Sequence, residues 1–227
     1  MITIDSLTVR YGPQTVLDNL TALLAERAVH GLVGGSGAGK TTLLDAVYGS
    51  VVPESGSITR SGRPLRRRDI AYLGNGKFFY DGMTGRDLLD LTARYNPSSD
   101  PAPYIRAFGL PADRPVAEWP CALKKTLALS VALMQRKPLL LLDEPLDGLD
   151  PERLHAAREF ILRHRDAGGT VLLSSQRSET LVPLCDDILI LDGGRIASVY
   201  RREEYSLAAD PEEAFSGYSV RLSEKPC

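Results

Sequence analysis

Ile2, Ile4, Leu7 and Val9 alternate with polar neighbours, a spacing that predicts a half-buried strand at the start of the chain. A second apolar run, residues 28–33, leads into glycines and predicts a buried strand. After Gly39 the sequence KTTLLDAVYG reads as a short helix ending at Gly49. SGSITR, residues 55–60, and DIAYL, residues 69–73, return to strand-like composition. Strand, loop, helix and strand in that order suit a parallel sheet covered by helices.

The pattern then changes period. Leu88, Leu89, Leu91 and Ala93 give helical spacing within residues 83–95, and NPSSDPAP breaks it. Residues 104–109 predict a second helix, PADRP a further break, and residues 122–135 a third helix. These define a helical insertion over about residues 77–136, set between residues 1–76 and 137–227 of one domain. Strand-like runs recur at 139–142, 170–174 and 188–191, with a helix over 151–165 between the first two. Asp192-Gly193-Gly194-Arg195 predicts a tight turn between two strands. Residues 200–227 read as a polar tail with a short helical stretch near PEEAF.

Composition alters this picture little. With 227 residues and 43% hydrophobic content the chain can bury a substantial core unaided. Its 27 basic and 29 acidic residues leave a formal charge of -2, so the electrostatic footprint of nucleic-acid binding is missing and no nucleic-acid partner is expected. Cys121, Cys185 and Cys227 are far apart and odd in number, which disfavours a disulfide scaffold and fits a reducing cytoplasm. The purely apolar runs, residues 139–142 among them, fall far short of the roughly 20 residues that span a bilayer. A membrane role therefore has to come through partners.

Chemistry enters with GGSGAGKT. Gly34, Gly35, Ser36, Gly37, Ala38, Gly39, Lys40 and Thr41 match the phosphate-loop pattern, with Thr42 continuing into the predicted helix. Glycines let backbone N–H groups turn inward around an anion, Lys40 can reach terminal phosphates, and the Thr41 hydroxyl can ligate magnesium. The flanking strand and helix separate this reading from a chance glycine-rich turn, because they place phosphate at a helix N-terminus. The run LLLLDE then delivers Asp143 and Glu144 to the C-terminal end of a buried strand, where open parallel sheets bind ligands. Asp143 suits the magnesium shell, and Glu144 suits the orientation or deprotonation of a water.

Over nearly its full length the chain resembles the nucleotide-binding subunit of ATP-binding cassette (ABC) transporters. The resemblance rests on the phosphate loop, on LLLLDEP followed by LDGLDP, and on DDILILDGGRIA, with the helical insertion in the expected place. It implies an α/β phosphate-loop NTPase fold with an N-terminal antiparallel β subdomain and a helical insertion. It also implies ATP and Mg2+ as ligands, transmembrane permease subunits and a second nucleotide-binding subunit as partners, and a peripheral place on the inner face of the membrane. Tyr11 in VRYG stands where the family stacks an aromatic on adenine; a strand-end core position explains it equally well. Asp150 matches an acidic residue at the family's dimer interface, while Asp147 and Asp150 also suit the start of the next helix. The aromatics of GKFFY, Phe78, Phe79 and Tyr80, fit either a partner's groove or packing beneath the insertion.

Three sites depart from the family. Pro120, Cys121, Ala122 and Leu123 replace the Ser-Gly-Gly-Gln of the signature that reaches the opposite subunit's nucleotide. Proline offers neither hydroxyl nor backbone N–H, and each lost glycine adds a Cβ. Asn75 stands for a glutamine at the metal or attacking water, and Gln176 for a histidine at the γ-phosphate; Gln176 keeps a neutral donor but cannot carry a proton. The expectation is a motor subunit of a membrane transporter, with a lean to export, that holds nucleotide well, hydrolyses it slowly and works in an asymmetric pairing or in a homodimer specialised for slow, regulated cycling. A regulatory module with negligible hydrolysis and a non-transport ABC ATPase are the alternatives.

Overall fold

The computed structural model describes residues 1–74 and 82–206. Phe78, Phe79, Tyr80 and the PEEAF stretch lie outside them.

Strand β1 (Ile2–Tyr11) buries Ile2, Ile4, Leu7 and Val9 as the alternation requires. The three-residue step from Ile4 to Leu7 coincides with a register shift and with Ser6 at φ 51°, the signature of a bulge that keeps Leu7 on the core face. Strand β2 (Gln14–Leu24) pairs antiparallel with it and has the same device at Asn19, φ 49°, between Leu17 and Leu20. Sequence reasoning did not identify β2, because the bulge breaks the period of two that would have marked it. Strands β4 (Ser55–Arg60) and β5 (Arg63–Pro64) complete a four-stranded sheet ordered β2-β1-β4-β5. SGSITR therefore belongs to this antiparallel sheet and not to the parallel one.

The second sheet is ordered β10-β9-β3-β8-β7-β6. Strands β3 (Val29–Val33), β6 (Ile70–Leu73), β7 (Leu139–Leu142), β8 (Thr170–Ser175) and β9 (Asp187–Asp192) are parallel, and β10 (Arg195–Arg201) closes the edge antiparallel to β9. Gly193 and Gly194 both have positive φ, as the two-residue turn between β9 and β10 demands.

Both faces of this sheet are covered, which explains the continuous apolar runs. Leu32, Leu139, Leu141, Leu172 and Leu189 pack with the antiparallel sheet and helix α1 (Lys40–Tyr48). Val33, Leu140, Leu142, Val171, Leu173 and Ile188 face the opposite layer, built from helices α2 (Gly85–Tyr95), α3 (Ala102–Phe108), α4 (Cys121–Met134) and α5 (Pro151–Asp166). Helix α2 opens on a capping box between Thr84 and Asp87, and Asp150 caps α5 through the Arg153 amide. Residues 200–206 are less of a polar tail than expected. Strand β10 reaches Arg201, and helix α6 (Arg202–Ser206) buries Tyr205 against the core.

Candidate functional site

The site lies where three neighbouring parallel strands end. Strand β3 runs into the loop of residues 34–39, β7 into Asp143 and Glu144, and β8, lying between them, into Ser175 and Gln176. Gly39 at φ 106° turns the chain into α1 from a left-handed conformation that a side chain rarely adopts. A Cβ at Gly34 would stand 2.6 Å from the Leu191 carbonyl oxygen, so the loop sits against β9 only because this residue has none.

Lys40 is buried at 6% exposure. Its Nζ donates to the carbonyl oxygens of Gly34 (2.8 Å) and Gly35 (3.1 Å) and lies 3.6 Å from Glu144 Oε1. Burial holds its pKa below the ordinary lysine value, and the Glu144 and Asp143 carboxylates only partly offset that. An ammonium so placed favours a further anion, which is the behaviour a phosphate site needs. Thr41 Oγ1 donates to Asp143 Oδ2 at 2.7 Å, bringing two hard oxygens together at the foot of the loop. That pair suits Mg2+, which takes one or two protein ligands and fills the rest of its shell with water and phosphate oxygens. Among the described residues no cluster of three or more His, Cys, Asp or Glu offers an all-protein metal cage.

Asp143 and Glu144 are held from several sides. The Asp143 N–H donates to Leu73 O at 2.8 Å and fastens the end of β7 to β6. Ser174 Oγ donates to Asp143 Oδ1 at 2.6 Å and accepts the Glu144 N–H at 2.9 Å. Gln176 Nε2 donates to Glu144 Oε1 at 2.9 Å. Around these groups opens a cleft of about 400 Å³, walled by Ser36, Gly37, Gly39, Lys40, Thr41, Thr42, Glu144 and Gln176, with Gln14 and Val16 from β2. Gly34, Gly35 and Ala38 form the back of the loop: Gly34 and Gly35 supply carbonyls to Lys40, and the Ala38 N–H donates to Gly35 O.

The structure brings most of the expected residues together but not all. Tyr11 is half exposed at the end of β1 and is not part of the cleft wall. Its cross-strand partner Gln14 is. Asn75 lies outside the described residues. Asp150 caps α5, where the Arg153 amide and guanidinium hold its carboxyl below the usual range, and Asp147 pairs with Arg177 at 3.6 Å on the surface. At the start of α4, Pro120 is the N-cap and provides no side-chain capping bond, and Cys121 is exposed beside it. Trp119 is buried in the helical layer against Gly85. Sequence reasoning missed Ser174, Gln14, Val16 and Lys125. Only Ser174 left a trace, as a polar residue inside the buried run TVLLSS.

A phosphate loop, a carboxylate pair at the end of a buried strand and an open sheet define a phosphate-loop NTPase. The model of the ABC transporter family matches residues 17–147, and the chain belongs to that family as an ATP-binding subunit. It is 30% identical to the lantibiotic transport ATP-binding protein SrtF of Streptococcus pyogenes over 95% of this chain and 96% of that one. It is 29% identical to the Nod factor export ATP-binding protein I of Ralstonia nicotianae over 86% of this chain and 65% of the relative. Among solved structures, an ATP-binding subunit of an ABC transporter superposes with a TM-score of 0.82 at 27% identity, covering 96% of this chain and 98% of that one. Among the described residues no helix is long and apolar enough to cross a membrane.

Proposed function

We propose that the chain is the ATP-driven motor of an exporter, peripheral on the inner face of the membrane, and that it turns over slowly unless a partner completes its site. The observation that carries this reading is the meeting of Lys40, Glu144 and Gln176 in one cleft beside the Thr41–Asp143 pair. Relatives named for lantibiotic transport and Nod factor export support the lean to export.

In this reading the loop amides and Lys40 bind the phosphates of ATP. Thr41 and Asp143 would hold Mg2+, and the ion would supply charge neutralisation during phosphoryl transfer. Glu144 accepts a proton from the attacking water, and Gln176 fixes the carboxylate oxygen it touches. As a neutral amide, Gln176 orients but neither carries positive charge nor relays a proton. Asn75, outside the described residues, keeps the amide that the family resemblance assigns to the metal or the attacking water. The proline-capped start of α4 offers the opposite subunit's nucleotide neither a hydroxyl nor the proline N–H, so a second nucleotide-binding subunit with a better signature is the favoured partner. Transmembrane permease subunits receive the motion through the helical subdomain of about residues 77–136.

The test compares ATP hydrolysis by the purified chain with that of the complex. Turnover alone should be at least tenfold slower, and Glu144→Gln should lower hydrolysis by two or more orders of magnitude while ATP binding persists. Equal rates for chain and complex would sink the slow-motor reading. Wild-type hydrolysis by Glu144→Gln would sink the general-base assignment.

A further inference from the structure

Glu144 has φ 45°, a left-handed backbone that a non-glycine residue rarely adopts. Pro145 follows it and disfavours the right-handed helical region there. Such a conformation costs on the order of a kcal/mol or more and persists only where the surroundings over-determine it. Two side chains do so here. Ser174 Oγ, 1% exposed on β8, accepts the Glu144 N–H at 2.9 Å. Lys125 Nζ, from the second turn of α4, donates to the Glu144 carbonyl at 3.2 Å and to the Asp147 carbonyl at 2.8 Å. The backbone of Glu144 is therefore clamped at its N–H by the sheet and at its carbonyl by the helical layer.

We propose that Ser174 and Lys125 are positioning residues for the Glu144 carboxylate, and that Lys125 ties its placement to the seating of α4. The inference rests on Glu144 acting as the general base. Neither side chain touches nucleotide in this scheme; both act on the backbone of Glu144. Because a reacting group displaced by about 1 Å loses on the order of a hundredfold in rate, the clamp affects turnover far more than binding. Ser174 differs from Lys125 in one respect. Its hydroxyl also donates to Asp143 Oδ1 at 2.6 Å, so its loss disturbs the magnesium carboxylate as well.

The experiment is single-turnover ATP hydrolysis by the full chain, in the presence of its complex where that is needed for rate, with nucleotide affinity and thermal unfolding measured alongside. Ser174→Ala and Lys125→Met should each slow the chemical step about tenfold or more and leave ATP affinity within about threefold. Half-saturating magnesium should rise for Ser174→Ala and stay put for Lys125→Met. Lys125→Arg should recover most of the rate, and Ser174→Thr, which keeps the hydroxyl, serves if the alanine variant does not fold. The double variant should lose less than the product of the two single losses, since both act on one residue. Either single variant hydrolysing within about twofold of wild type overturns the assignment for that residue, as does a rate loss matched by an equal loss of ATP affinity. Glu144→Gln is run beside them. If it is inactive while both variants are normal, this inference fails alone; if it hydrolyses normally, the general-base reading fails first.

Discussion

Lys40 shows how a residue's chemistry depends on what encloses it. Burial depresses its pKa and nearby carboxylates pull it partly back. A bound polyanion would stabilise the ammonium further, so in the pH window between the free and the bound pKa, ATP binding takes up a proton and affinity must fall as pH rises. Measured from neutral to strongly alkaline pH, ATP affinity should weaken for the wild-type chain and stay flat over that window for Lys40→Met, whose binding is weak throughout. The motif GGSGAGKT made Lys40 legible because its partners are five and six residues away, at Gly35 and Gly34. Ser174, Lys125 and Glu144 meet from 30 and 19 residues apart in sequence, and nothing local announces the contact. Tyr11 stands half exposed beside the cleft, and its neighbour across the hairpin, Gln14, is the residue in the wall.

At the scale of elements, helix boundaries followed from caps and breakers. The insertion helices observed at Gly85–Tyr95, Ala102–Phe108 and Cys121–Met134 fall within two residues of those expected from period and prolines. The α2 start is the clearest case, since Thr84 Oγ1 accepts the Asp87 N–H and Asp87 in turn accepts the Thr84 N–H. Thr84→Ala should therefore cost about 1 kcal/mol and lower the melting temperature by roughly 2–4 °C, read by thermal unfolding. No change would mean that packing alone fixes α2. Strand β2 escaped notice for a reason of the same kind with the sign reversed: a bulge at Asn19 satisfies the sheet but erases the alternation. Helix α6 escaped because four polar residues hide one anchor, Tyr205, whose hydroxyl donates to the Cys185 carbonyl and whose pKa burial pushes up to about 12.

For the whole molecule the proposed reading turns on the start of α4, where Pro120 is the N-cap and where the resemblance places the signature that faces the other subunit's nucleotide. Replacing Pro120 by Ser and both Cys121 and Ala122 by Gly should raise turnover of the assembled complex about tenfold or more, with nucleotide affinity of the isolated chain unchanged. Such a gain would identify this segment as the limit on the partner's site; an unchanged rate would remove the argument for asymmetry.

The sequence by itself determined the phosphate loop, the carboxylate-bearing strand, the helical insertion and the family, because each is written in contiguous residues whose spacing carries its own physics. It also disclosed the departures at residues 120–123 and at Gln176. Only the tertiary structure decided that β8 lies between β3 and β7, and so that Ser174 and Gln176 reach the same two carboxylates as Lys40 and Thr41. Only it showed a lysine of α4 holding the Glu144 carbonyl. Strand order and the meeting of layers arise from burying both faces of one sheet, a requirement that many distant residues satisfy together and no short stretch can state.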